Sequence, residues 1–168
     1  LPLLLMPLVI QMGFAEFKAG ASRTDISPKA FPVLVNGGFM SRTASMVTDP
    51  LYARSIVLSD GSTRIAIVVV DSCMMPRAML DKAKEIAARR TGIPADHILV
   101  SATHTHTAPS AFACLGTDAD PRYVPFLIHK IAQGIESAQK NLQPAEVGWH
   151  SVQASKVTAL RRWILGPD

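Results

Sequence analysis

Apolar positions recur along the chain with two different periods, and the switches between them mark out strands and helices. Residues 51–59 (LYARSIVLS) and 64–70 (RIAIVVV) are rich in β-branched side chains and are separated by Asp60, Gly61 and Ser62, which predicts a hairpin. The second run is apolar almost throughout, the pattern of a central strand covered on both faces. Over residues 76–90 the period becomes helical. Met79, Ala83, Ile86 and Ala87 share one face, Pro76 opens the segment, and Gly92 and Pro94 close it. Residues 97–102 return to a short apolar strand. The order strand, helix, strand predicts a right-handed crossover joining a parallel pair.

A second helical face is built from Leu127, Ile131, Ile135, Ala138 and Leu142, preceded by Asp120 as its N-cap and Pro121 at its first position. Upstream, residues 17–27 read as a strand entering a turn between Pro28 and Pro32. Downstream, residues 145–152 (AEVGWHSV) alternate as a strand would, with Trp149 and His150 on opposite faces. The pattern as a whole predicts an α/β fold: a mixed, largely parallel sheet with helices packed on it.

Composition narrows the class. The chain has 168 residues, 48% of them apolar and 18% charged, enough for one domain with a core and too few for two. A net charge of +4 with scattered Lys and Arg, and no basic stripe interleaved with aromatics, excludes a nucleic-acid partner. Residues 1–10 (LPLLLMPLVI) are shorter than the ~20 residues that span a bilayer, so no transmembrane segment is expected. They fit the apolar core of a secretory signal peptide, with Gly13 and Ala15 supplying small residues for cleavage after Ala15. Residues 1–15 are thus read as a signal peptide, residues 16–168 as the domain, and the location as secreted or periplasmic. Cys73 and Cys114 could form one disulfide in an exported protein, but they belong to no paired motif and read better as buried free thiols.

The chemistry concentrates at residues 104–109, HTHTAP, at the exit of the strand over 97–102. Period-two alternation carried past that strand places His104 and His106 on one side, a geometry suited to zinc, for which neutral imidazole is a common ligand. Two polar residues capping a turn would look the same. Asn36, Gly37 and Gly38 mark a hairpin turn or a close backbone approach to a ligand. Asp71, leaving the apolar strand, either caps a turn or orients a ligand. His97 and His129 lie off the apolar faces and read as surface residues.

These residues resemble a known family. Asp49 to Arg54 (DPLYAR), the apolar strand ending in Asp71, Gly92-Ile93-Pro94 followed by Asp96 to Val100, and Ser101 to Pro109 (SATHTHTAP) are similar, in that order, to the N-terminal domain of the neutral, non-lysosomal ceramidases. The resemblance runs from about residue 19 to about residue 163 and is to divergent bacterial members. It implies an α/β catalytic domain that hydrolyses the N-acyl amide of ceramide to sphingosine and fatty acid with zinc. It also implies a lipid-like substrate and peripheral membrane contact.

Carried over residue by residue, the resemblance makes His104 a zinc ligand and His106 its active-site neighbour. Gly37 and Gly38 become the substrate-contacting glycine loop. Arg161 stabilises developing charge, although Leu160 stands where the family has asparagine. The family's other ligands, a His, a Glu and a Tyr, and its attacking serine correspond to positions past residue 168, so this chain is the N-terminal part of a larger catalytic domain. Two histidines alone close no zinc site, and the expectation is weak zinc binding and no activity for these 168 residues by themselves. Two alternatives stay open: a non-catalytic domain of the same fold, and a zinc hydrolase of another amide or ester.

Overall fold

The computed structural model describes residues 16–156 and Gly166. The predicted signal peptide and Arg161 lie outside the described residues. Seven strands and two helices follow in the order β1 (Lys18–Asp25), β2 (Val33–Val35), β3 (Arg42–Ala44), β4 (Tyr52–Ser59), β5 (Arg64–Val70), α1 (Arg77–Thr91), β6 (Ile98–Ala102), α2 (Tyr123–Lys140) and β7 (Gln143–Pro144), with a 3-10 turn over Ala95–His97 before β6. Five strands form one sheet in the order β6-β5-β4-β1-β7, and β2 and β3 form a separate hairpin.

Mixed α/β character is as expected, but the sheet is mostly antiparallel. β4 and β5 form the predicted hairpin, with Ile56 opposite Ile67. β1 adds antiparallel to β4, with Ala21 opposite Ile56, and β7 adds antiparallel to β1. Only β5 and β6, joined through α1, run parallel, with Ile67 beside Leu99. A parallel neighbour needs a long crossover, which α1 supplies between β5 and β6; the short turn after β4 admits an antiparallel partner alone.

Both helices pack on one face of the sheet. α1 buries Met79, Ala83, Ala87 and Thr91, and α2 buries Leu127, Ile131, Ile135 and Ala138. The strands present Ala53, Val57, Ala66, Val68, Val70, Ile98 and Val100 to them, all at 8% exposure or less. Each fully buried Val, Leu or Ile side chain among them contributes about 1.5–3 kcal/mol. α1 stops where predicted: Gly92 takes φ 71 and its N–H bonds to the Ala88 carbonyl, a left-handed cap open to glycine at no steric cost.

α2 is capped by Asp120, whose carboxylate accepts the N–H groups of Arg122 and Tyr123, both at 3.0 Å. A third bond, from the N–H of Leu34 at 3.1 Å, ties β2 to the start of α2. Burial pushes the Asp120 carboxyl up, but the three N–H groups and the charge of Arg122 outweigh it, and its pKa lies below the ordinary 3.8. The strand expected over residues 145–152 is absent. After β7 the Ala145 N–H bonds back to the Phe17 carbonyl. Beyond it the alternating residues pair with no strand among the described residues, and Trp149 is 89% exposed. Without a ladder to satisfy the backbone, period-two alternation does not make a strand.

Candidate metal centre

β5 and β6 end side by side, and the segments leaving their carboxyl ends bring together residues 31 positions apart. β5 runs into Asp71, Ser72 and Cys73, while β6 runs into Thr103, whose N–H bonds to the Val70 carbonyl at 2.9 Å, and then into His104. The strand does not continue through the histidines. His104 takes φ 62, a left-handed conformation that costs a non-glycine residue about 1–2 kcal/mol. In this turned conformation His104 Nδ1 lies 2.7 Å from the Cys73 carbonyl oxygen. A carbonyl only accepts, so Nδ1 carries the proton and Nε2 keeps its lone pair.

The free nitrogen faces His106. The two rings meet edge to face, with centroids 4.7 Å apart and planes at 83°, and their Nε2 atoms are separated by 3.2 Å. Two imidazole nitrogens on one tetrahedral zinc, each at ~2.0–2.1 Å, lie about 3.3–3.4 Å apart. The pair therefore suits a shared ion, and equally an N–H···N bond from His106 to His104. Both histidines are exposed, whereas Cys73 is buried, and one donor atom from each of the three residues lies within 4.8 Å of the others. The Cys73 thiol is 3.8 Å from His104 Nδ1. Burial pushes its pKa up, with Cys114 adding to the effect. Both cysteines are free thiols, as expected.

His106 is held from behind by the β2–β3 hairpin. Gly37, at φ 103, lies so close that a Cβ on it would sit 2.5 Å from the Cβ and Cγ of His106. Gly38 has no such constraint, its nearest non-neighbouring atom being 3.6 Å from a built Cβ. The Arg42 guanidinium donates to the His106 carbonyl oxygen. Asn36, 1% exposed, donates from Nδ2 to the Phe112 carbonyl at 2.7 Å and to Ser110 Oγ at 3.2 Å, and accepts the Gly37 N–H at 2.6 Å. Asn36 thus fastens the hairpin to the loop that follows the histidines.

Asp71 takes no part in the cluster. Its two carboxylate oxygens accept from Arg54 Nη1, each at 2.9 Å, and one also accepts the Tyr52 N–H, which pins the ends of β4 and β5 together. His97 lies on the surface with Nδ1 against the Arg64 carbonyl, and His129 is exposed.

No family model matches the sequence. Among solved structures the chain superposes on neutral ceramidase from Pseudomonas aeruginosa with a TM-score of 0.68, at 23% identity over 77% of this chain. The fold is shared with neutral ceramidase. A second structure, a ceramidase complexed with C2, matches with a TM-score of 0.66 at the same identity and coverage. In both cases the chain spans 22% of the ceramidase's length, so the ceramidase-like unit described here is a small part of those molecules.

Beside the histidines lies a cavity of about 470 Å³. Pro28, Val33, Val35, Ala44, Met46, Val47, Leu51 and Pro109 supply most of its wall, and Arg42 and Thr107 form the side next to His106. Among the described residues no helix is long and apolar enough to cross a membrane.

Sequence reasoning reached the two histidines and Gly37 but missed Cys73. Its signal was available, since Cys73 follows the strand predicted to pair in parallel with the one before His104, and such neighbours end at the same edge of a sheet.

Proposed function

We propose that this chain forms part of a zinc-dependent amidohydrolase of the neutral ceramidase type, which cleaves the N-acyl amide of ceramide to sphingosine and fatty acid. The observation that carries the reading is the 3.2 Å approach of the two Nε2 atoms at the carboxyl ends of β5 and β6, in a fold shared with neutral ceramidase. His104 is the zinc ligand through Nε2, its Nδ1 being committed to the Cys73 carbonyl. Zinc bound there supplies Lewis-acid polarisation of the amide carbonyl. His106 takes up and returns a proton at Nε2, while Gly37 lies against its Cβ and Cγ and Arg42 holds its backbone carbonyl. Gly37 and Gly38 border the substrate, and Arg161 meets the developing negative charge.

A lipid-like substrate is supported by the apolar cavity, whose volume falls within the ~300–1,000 Å³ of small-molecule sites. Phe39 and Met40, 85% and 82% exposed in the β2–β3 connection, and Met46 at the cavity wall, 69% exposed, suit peripheral contact with a membrane surface. Export to the periplasm or the cell exterior accompanies this reading and rests on the apolar pattern of residues 1–10.

The test is hydrolysis of a short-chain fluorescent ceramide by the full-length protein, together with its zinc content. His104→Ala is expected to lose both zinc and activity. Full zinc occupancy in that variant would remove His104 from the ligand set, and an inactive, fully zinc-loaded wild type would remove ceramide as substrate.

A further inference from the structure

We propose that Arg23 and Arg54, gathered on the ring of Tyr52, form an oxyanion-binding site for a carboxylate or phosphate group on the sheet face turned away from the helices. Arg23 in β1 and Arg54 in β4 are direct cross-strand partners, and like charges placed opposite each other destabilise a sheet. Both guanidinium groups lie over one aromatic ring, with Cζ 4.6 Å and 5.4 Å from the centroid of Tyr52. The attraction of each cation for the ring holds two planar forks of N–H donors at one residue. Such forks match the oxygens of carboxylate and phosphate.

The neighbouring acids leave this charge unbalanced. Asp71 presents both carboxylate oxygens to a single nitrogen, Arg54 Nη1, at 2.9 Å each. No carboxylate pairs with Arg23 among the described residues. Asp25, on the same strand, is engaged by the Ser27 N–H at 2.7 Å and by Lys29 at 3.7 Å. Two guanidinium groups thus share one carboxylate, and an arriving anion relieves the repulsion between them. Arg23 is exposed and the Arg54 side chain is half exposed, so a ligand reaches both from solvent. Neither belongs to the cluster of Cys73, His104 and His106. On the same face Ala21 and Ile56 pair with each other next to the arginines, and Ile56 is 46% exposed. This apolar surface adds affinity for an anion that ends a hydrocarbon chain, while the arginines take the same acid group from a free anion.

The site is independent of ceramide and of zinc, so its outcome and that of the hydrolysis assay are separable. The full-length protein is titrated calorimetrically with inorganic phosphate at ~0.01 M salt. Binding is expected to weaken at least about tenfold in Arg23→Gln and to be partly restored in Arg23→Lys, which keeps the charge without the fork. Wild-type binding is also expected to weaken at ~0.15 M salt. Arg89→Gln removes the same charge from an exposed position on α1 and is expected to bind as wild type does. In a second arm octanoate is compared with acetate. Tighter octanoate binding that Ile56→Ser lowers assigns a chain-bearing acid, and equal binding of the two assigns a free anion. Wild-type phosphate affinity in Arg23→Gln overturns the proposal, as does equal weakening in Arg23→Gln and Arg89→Gln or no phosphate binding by the wild type.

Discussion

His104 and Gly37 are the two residues whose backbones most directly shape the centre. The left-handed turn at His104 lets its ring reach both the Cys73 carbonyl and His106, and strain of this kind persists where surrounding bonds over-determine it. Gly37 has a different part from the one its glycine neighbour could play, because only at position 37 does a side chain collide with His106. Gly37→Ala is expected to destabilise the protein by about 1–3 kcal/mol in urea denaturation and to lower ceramide hydrolysis by displacing His106. Gly38→Ala, with nothing closer than 3.6 Å, is expected to leave both within error. Equal effects from the two substitutions would count against Gly37 as the support of His106.

Among the elements, the β2–β3 hairpin stands apart from the sheet, and Asp120 fastens it to α2 through the Leu34 N–H. Its carboxylate serves β2 and the first turn of α2 together, so Asp120→Ala leaves three N–H groups without that acceptor and is expected to cost about 1–3 kcal/mol. The pH dependence follows from the direction of its shift. Its folded pKa lies below the unfolded value near 3.8, so the contribution is fully present above about pH 4 and is lost as pH falls through the folded value. The urea midpoints of wild type and Asp120→Ala are therefore expected to differ at pH 6 and to converge toward pH 2. A gap that stays constant would rule out the ionised carboxylate as its source. In the helical layer, Leu127 is fully buried in α2, and Leu127→Ala is expected to cost about 2–5 kcal/mol.

At the scale of the molecule, one sheet face carries both helices and the other carries exposed apolar side chains in register. Ala21, Ile56, Ile67 and Leu99 are consecutive cross-strand partners through β1, β4, β5 and β6, and Ile56 and Leu99 are 46% and 59% exposed. A contiguous apolar row in water promotes association. The double variant Ile56→Lys, Leu99→Lys is expected to raise solubility in static light scattering while leaving the far-ultraviolet circular dichroism unchanged. Loss of the folded spectrum would instead place these side chains in the core.

That face also marks where the sequence stopped being sufficient. Local pattern determined both helices, their buried faces and caps, the β4–β5 hairpin and the parallel pairing of β5 with β6, because period, turn residues and connection length act within a short span of chain. It also singled out His104 and His106. Strand direction across β1, β4 and β7 was decided by the tertiary structure, as was the failure of residues 145–152 to pair, since a strand exists only through its neighbours. The convergence of the histidines belongs to both levels. Their spacing was legible, but a turn at His104 rather than continued strand alternation brings the rings together. Cys73 joined them because two parallel strands end at the same edge of one sheet, a proximity that no spacing along the chain records.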